Sequence, residues 1–275
     1  MPRKVDSRGI AEAILRSGFP LIDVGSAVAR HLEEKLGLGP FEALERADHV
    51  LDGVRNMIDR ILADEYSLGI ISAYSWTSPA RTTLQHVGAV DELAARRLQL
   101  RDSIIAAMDI LTGAEFERIC DRLLGIYGVP INRRYVTQYS QDHGVDFYAL
   151  TAAAPGQNRL QTQPVRIMGQ AKKRSGTVAP DPVGAFCNRI QEVRAHSGPA
   201  WEQAPAWFRS ADVPIIGLFV TTGHVGGESL RTASRHVVFS VQGPQVADDL
   251  AHAPEAVEWI RDDGTLDVER FRRTP

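Results

Sequence analysis

Cysteine is scarce in this chain of 275 residues, which contains only Cys120 and Cys187. Both lie among apolar neighbours at helical spacing, so we interpret them as core residues in a reducing cytoplasm rather than a disulfide or metal site. No apolar run approaches the roughly 18 residues that a membrane-spanning helix needs. The charged residues at positions 3 and 4 have no apolar segment behind them, so we expect no signal peptide. These absences predict a cytoplasmic protein without a membrane segment.

A strong net charge is also absent. The 31 Lys and Arg residues against 34 Asp and Glu residues give a net charge of −3, which argues against nonspecific binding to nucleic acid through overall charge. Residues 131–174 nevertheless contain seven basic and two acidic residues, a local excess of five positive charges. The hydrophobic fraction of 44% excludes a mostly disordered chain. The composition therefore predicts a folded protein with one basic segment.

The first 110 residues have the apolar spacing of amphipathic helices. The longest such stretch runs from Phe41 to Leu68, and another helix is predicted over Val90–Ile110. The Ser- and Thr-rich segment Ser72–Thr83, which contains Pro79, is predicted to be a loop. We therefore expect residues 1–110 to form an all-helical region that serves oligomerisation, regulation or target recognition.

From residue 111 onward, helical and strand patterns alternate. Thr112 and Glu115 have the spacing of a capping box at the start of a helix. Strands are predicted over Val145–Leu150, Val165–Lys173, Pro214–Thr222 and Val237–Val241, and further helices over Pro182–His196, over Gly227–His236 and after Pro244. This order predicts an α/β domain over residues 111–275, with a mixed central sheet flanked by helices.

Polar residues of two predicted strands form a candidate catalytic site. Gln170 and Lys172 share one face of the second strand, and Asp146 lies opposite them if the two strands pair as a hairpin. Mg²⁺ prefers hard oxygen ligands, such as the Asp146 carboxylate and the Gln170 amide oxygen. In phosphodiester hydrolysis, Lys172 would orient or deprotonate a water, or stabilise the pentacoordinate phosphorus. Glu117 is either a further ligand, direct or through water, or an exposed helix residue.

Five ordered motifs between Leu111 and Leu250 resemble the Mrr-type restriction endonuclease domain, a branch of the PD-(D/E)xK nuclease superfamily. They are Phe116-Glu117, Asp142-His143-Gly144-Val145-Asp146, Gln170-Ala171-Lys172, Thr221-Thr222-Gly223 and a helix with small residues from Glu228 to Ala233. The inserted stretch His196–Asp212, with Trp201 and Trp207, departs from the family pattern. The N-terminal region matches no recognition family that we can identify.

The resemblance implies a restriction-endonuclease-like fold and cleavage of DNA that depends on Mg²⁺, or alternatively on Mn²⁺. It implies a restriction system in antiviral defence, directed at foreign or modified DNA. The catalytic residues would be Asp146, Gln170, Lys172 and Glu117, and the metal ligands would be Asp146, Gln170 and Glu117.

Basic and aromatic residues flank this candidate site. Contacts to phosphate, with stacking by tyrosine, would come from Arg133, Arg134, Tyr139, Lys173 and Arg174. The alternative is an exposed strand or loop whose arginines are simply solvated.

Two other functions remain open on the sequence. In the first, the domain retains the nuclease fold and binds nucleic acid without cleaving it. The intact Asp146 and Lys172 argue against this function. Alternatively, its substrate would be branched DNA or RNA. We expect DNA as the partner. We also expect a homo-oligomer such as a dimer, which would place two active sites across the two DNA strands. Other subunits of a defence system are candidate partners, and a membrane is not.

Overall fold

The computed structural model describes residues 5–67, 70, 72–89, 91–137, 144–152 and 164–273. The chain divides into two compact units, Met1–Gln99 and Leu100–Pro275, and each is described by itself. Within the described residues, no helix combines the length and the apolar character needed to span a membrane.

The first unit is built mainly from helices, as the apolar spacing predicted. These are α1 (Ser7–Leu15), α2 (Val24–Leu36) and α3 (Pro40–Ser67). The side chains of Asp6 and Asp23 cap α1 and α2 by accepting hydrogen bonds from main-chain N–H groups of the first turn. The apolar faces of the three helices enclose one core, which includes Ile10, Val28, Leu32, Val54 and Ile58.

The region is not helical throughout, however, and the expected loop Ser72–Thr83 contains β-strand residues. An antiparallel sheet with the order β1-β3-β2 is present, formed by β1 (Leu21–Asp23), β2 (Tyr74–Trp76) and β3 (Thr83–His86). Buried Tyr74 and Leu84 anchor the sheet, and the Trp76 indole N–H donates to Asp59 of α3. These contacts join distant parts of the chain, and strands of three or four residues are too short for a visible alternation. A 3₁₀ helix (Val87–Ala89) and α4 (Glu92–Ile110) follow.

The second unit contains a five-stranded mixed sheet with the order β10-β8-β6-β5-β4. Its elements are α5 (Gly113–Ile126), β4 (Arg134–Val136), β5 (Phe147–Leu150), β6 (Arg166–Lys172), β7 (Thr177–Val178), α6 (Pro180–Arg194), α7 (Pro199–Gln203), α8 (Ala206–Arg209), β8 (Ile215–Thr221), β9 (His224–Val225), α9 (Gly227–Arg235), β10 (Val238–Val241), α10 (Gly243–His252) and α11 (Val268–Arg273). The pairs β4–β5 and β5–β6 are antiparallel, and β6–β8 and β8–β10 are parallel. This arrangement confirms the predicted mixed α/β architecture.

Helices cover both faces of this sheet. On the side that we call the α5 face, α5 and α10 pack against Phe147, Ala149 and Val220. On the opposite side, the α6 face, α6 packs against Tyr148, Met168 and Phe219. Strand β8 is therefore covered on both sides, as its continuous apolar sequence predicted. Cys120 is buried in the first core and Cys187 in the second, and both are free thiols.

The inserted stretch His196–Asp212 forms α7 and α8 and packs on the α6 face. Trp201 and Trp207 contact this core, and the buried Tyr148 hydroxyl donates to the Ala200 carbonyl. The two tryptophans therefore attach the insertion to the domain.

The capping box predicted at the start of α5 is present. The Glu115 N–H donates to Thr112 Oγ1, and the Thr112 N–H donates to the Glu115 carboxylate. These hydrogen bonds, with a smaller contribution from Arg272, lower the pKa of Glu115 to about 2. The carboxylate therefore stabilises the fold fully above its ordinary pKa of 4.5 and loses this effect as the pH falls toward 2.

We expect Thr112→Ala to lower the free energy of unfolding by about 1 kcal/mol at neutral pH, because α5 loses its cap. Urea denaturation followed by circular dichroism measures this difference. The difference should shrink as the pH falls below 4.5, where Glu115 begins to lose the charged form that accepts these hydrogen bonds. Thr232→Ala within α9 is the control and should change stability by less than about 0.5 kcal/mol. Equal losses in both variants would contradict the assignment.

Candidate active site

The turn before β5 holds the main chain of Asp146 between two neighbouring strands. Gly144 adopts a φ of +73°, a left-handed conformation that glycine adopts without strain. The Asp146 N–H donates to the Gly169 carbonyl of β6, and the Thr137 N–H, just after β4, donates to the Asp146 carbonyl. Asp146 therefore continues the hydrogen bonding of the sheet by one residue beyond β5.

A short hydrogen bond fixes the Asp146 side chain. Its Oδ2 atom accepts from the Ala171 N–H at 2.6 Å, and Asp146 is only 3% exposed. Ala171 lies between Gln170 and Lys172, so this bond ties the carboxylate directly to the Gln-x-Lys segment. The antiparallel pairing of β5 with β6 confirms the hairpin on which the sequence argument depended.

Gln170 and Lys172 lie on the α6 face of β6. Met168 belongs to the core of that face, and side chains two and four residues later along a strand point the same way. Gln170 is 6% exposed and Lys172 is half-buried. Within the part of the chain that is described, neither the Gln170 amide nor the Lys172 ammonium has a hydrogen bond or an ion pair. The Gln170 amide is therefore available to a ligand.

Glu117 belongs to α5, three residues before Cys120. Burial raises the pKa of the Cys120 thiol well above its usual value, and the charges of Asp146, Glu117 and Asp121 raise it further. The carboxylates of Asp146 and Glu117 therefore both lie within electrostatic reach of one thiol. The same burial and negative surroundings keep Cys120 protonated, which excludes it as a nucleophile at neutral pH.

The donor atoms of these residues fit a small divalent cation. Two carboxylates and an amide oxygen are hard oxygen donors of the kind that Mg²⁺ prefers, and the buried Gln170 amide has no hydrogen bond within the described segments. Among the described residues, no group of three or more His, Cys, Asp and Glu side chains is arranged to hold a metal. The predicted set contains only two carboxylates, because Gln170 supplies an amide in place of a third acidic group.

The residues predicted to contact nucleic acid differ in their exposure. Arg133 is exposed at the end of a 3₁₀ helix (Ile131–Arg133), Lys173 is half-buried and Arg174 is exposed. The Arg174 N–H donates to Thr222 Oγ1, and this hydroxyl donates back to the Arg174 carbonyl. Tyr139 lies outside the described residues, as do Asp142 and His143.

Arg134 is engaged with α5 rather than with solvent. Its Nη1 atom donates to the Asp121 carbonyl at 2.6 Å and pairs with Asp121 Oδ2 at 3.3 Å. This placement favours a structural role, and we leave Arg134 out of the DNA contacts proposed below. No sequence pattern indicates this pair, because the two residues lie on different elements.

The sequence analysis also missed Arg189 of α6. Its guanidinium lies against Gly144, in the turn that leads to Asp146. An arginine in the middle of an amphipathic helix has the pattern of an ordinary surface residue, so only the three-dimensional contact reveals it.

Residues 108–199 match the protein-family model of the Mrr catalytic domain, described as a restriction endonuclease. The match contains α5, Asp146, Gln170 and Lys172, and it confirms the resemblance inferred from the ordered motifs. Residues 108–199 are therefore similar to the catalytic domain of Mrr-type restriction endonucleases.

Among solved structures, the chain is similar to the MspJI restriction endonuclease in complex with a 27-mer oligonucleotide, with a TM-score of 0.33 and 20% sequence identity. This similarity covers 60% of the present chain and 32% of that chain. A search of curated proteins found no match.

Gly169, directly before Gln170, leaves no room for a side chain, because an added Cβ would overlap the Phe147 ring. We expect Gly169→Ala to lower the free energy of unfolding by roughly 1–3 kcal/mol, as overpacked cores do. Urea denaturation measures this, with Gly184→Ala on α6 as the control, since no heavy atom lies within 4 Å of its added Cβ. The control should be neutral or stabilised by up to about 1 kcal/mol. A Gly169→Ala protein as stable as the control would overturn the packing argument.

Proposed function

We propose that residues 111–275 form a metal-dependent endonuclease that hydrolyses phosphodiester bonds in DNA. The observation that carries this proposal is the hydrogen bond from the Ala171 N–H to Asp146 Oδ2, which holds a buried carboxylate beside Gln170 and Lys172. The match to the restriction-endonuclease family supports it. We further propose that the protein acts in the cytoplasm, in a restriction system directed at foreign or modified DNA.

Asp146, Gln170 and Glu117 would hold the metal ion, which we propose to be Mg²⁺ or Mn²⁺. When bound, such an ion supplies Lewis-acid polarisation of the phosphoryl oxygens. The Ala171 N–H holds one oxygen of Asp146 in place, so this carboxylate loses little freedom on engaging an ion. Gln170 would gain a partner for an amide that has no hydrogen bond in the described residues.

Lys172 provides positive charge at the reacting phosphate. Hydrolysis adds water across one P–O bond: the water oxygen bonds to phosphorus, and a proton passes to the departing sugar oxygen. The Lys172 ammonium stabilises the extra negative charge on the pentacoordinate phosphorus or orients the attacking water; in its neutral form it would take the proton of that water. Half-burial of Lys172 strengthens these interactions by reducing competition from solvent.

Phosphates outside the scissile link would be held by Lys173 and Arg174, which directly follow Lys172, and by Arg133, which lies beyond the end of β4 that pairs with Ala149. Arg133 and Arg174 are exposed, and Lys173 directly follows the catalytic lysine. Contacts of this kind fix the position of DNA without reading its sequence. Tyr139 remains a predicted stacking residue.

We expect Lys172→Ala to slow nicking of supercoiled plasmid in Mg²⁺ by about 10²–10³-fold, because removal of one transition-state stabiliser typically has this effect. Lys35→Ala, on the exposed surface of α2, is the control and should cleave at the wild-type rate. The assay uses methylated and unmethylated plasmid, a four-way junction and RNA, so that it also identifies the substrate.

Equal cleavage by Lys172→Ala and the wild-type protein would contradict the catalytic assignment. Binding of DNA in EDTA, with no cleavage of any of these substrates in Mg²⁺ or Mn²⁺, would instead identify a module that binds without cleaving.

Glu117→Gln should raise the Mg²⁺ concentration needed for half-maximal cleavage by roughly tenfold or more, because weakened metal coordination costs about 10–100-fold in affinity. Titration of plasmid cleavage against Mg²⁺ measures this shift. Glu202→Gln on α7, which is exposed, serves as the control. Identical Mg²⁺ titrations for wild type and Glu117→Gln would remove Glu117 from the metal site.

A further inference from the structure

Arg189 differs from the other half-buried or buried arginines of the second unit in having no acceptor within the described residues. Arg166 and Arg194 donate to main-chain carbonyls, Arg134 pairs with Asp121, and Arg122 pairs with Glu258. The Arg189 side chain is half-buried, yet its guanidinium has no hydrogen bond or ion pair in the described part of the chain. An unpaired cation with restricted access to water is suited to an anionic ligand.

The guanidinium lies against Gly144. Its Nε, Cζ and Nη2 atoms lie 2.6, 2.9 and 2.9 Å from the position that a Cβ of Gly144 would occupy. The Nη1 atom is not among these three nearest atoms, so its N–H groups lie on the side of the guanidinium away from this glycine. The missing side chain of Gly144 is what allows this position.

This contact places Arg189 beside the candidate catalytic residues. Gly144 precedes Asp146 by two residues, which separates their Cα atoms by at most about 7 Å. Gln170 and Lys172 lie on the α6 face of the sheet, and Arg189 belongs to the helix that covers that face. A DNA strand whose scissile phosphate lies beside Asp146 and Lys172 carries a further charge about every 3.4 Å along the helix axis. A phosphate next to the scissile one would therefore be within reach of a long side chain such as Arg189.

We propose that Arg189 binds a phosphate adjacent to the scissile one through the N–H groups of its guanidinium. This inference rests on the proposed function, because it requires a DNA strand at Asp146. Arginine is suited to the task, since its planar fork matches two phosphate oxygens at once. The contact is to the backbone, so it contributes equally to all DNA sequences and fixes the strand relative to Asp146.

The test measures the affinity of the full chain for a short fluorescein-labelled duplex by anisotropy, in EDTA, at roughly 50–200 mM salt. Loss of one phosphate contact makes the slope of log K against log[salt] less negative by about 0.9. We expect this change for Arg189→Gln, together with an affinity loss of about tenfold or more that is the same for duplexes of different sequence. Arg189→Lys should keep the slope and lose part of the affinity, because the charge remains and the fork is lost.

Arg235→Gln, in the last turn of α9 and exposed, is the matched control and should leave slope and affinity unchanged. If Arg189 only supports the turn at Gly144, Arg189→Gln will lower the thermal unfolding temperature and leave the salt slope unchanged. That result would overturn the proposal. Absence of DNA binding by the wild-type protein would overturn it as well. Binding with the expected slope change, but without cleavage in Mg²⁺ or Mn²⁺, would support the role of Arg189 while rejecting the endonuclease function.

Discussion

The hydrogen bond between the Ala171 N–H and Asp146 Oδ2 is the interaction on which the site depends. It uses the main chain of the residue between Gln170 and Lys172, so the carboxylate and the two side chains keep one fixed relation. The antiparallel pairing of β5 with β6 puts this donor within reach of Asp146. Cores on both faces of the sheet hold β5 and β6 in turn. Packing on both faces of the sheet therefore fixes the relative positions of Asp146, Gln170 and Lys172.

Most of the second unit was predictable because its signals are local. The capping box and the apolar stripe of α5 lie within one helix, and the strand β8 has an uninterrupted apolar sequence. Spacing alone brought Asp146 together with Gln170 and Lys172, since a hairpin aligns residues in a fixed register. The main-chain donor at Ala171 was not predictable, because every residue other than proline carries such a group.

The errors and omissions share one physical cause, which is contact between residues distant in the sequence. The strand β2 is held by Trp76 on Asp59 and by buried Tyr74, while its own composition is typical of a loop. The sequence pattern predicts a phosphate contact for Arg134, whereas in the structure its guanidinium bonds to Asp121. Arg189 lies 45 positions after the glycine that it covers. The roles of long side chains are therefore the hardest to predict from a sequence pattern, because these side chains contact residues that are distant in the sequence.

The segment after β6 is fastened to the end of β8. The Thr222 hydroxyl both accepts from the N–H and donates to the carbonyl of Arg174, and the Thr222 N–H approaches the Lys172 carbonyl. A loop secured in this way has already lost most of its conformational entropy before any ligand arrives. In the proposed complex with DNA, only the side chains of Lys173 and Arg174 would have to be ordered, and the saving in entropy would add directly to affinity.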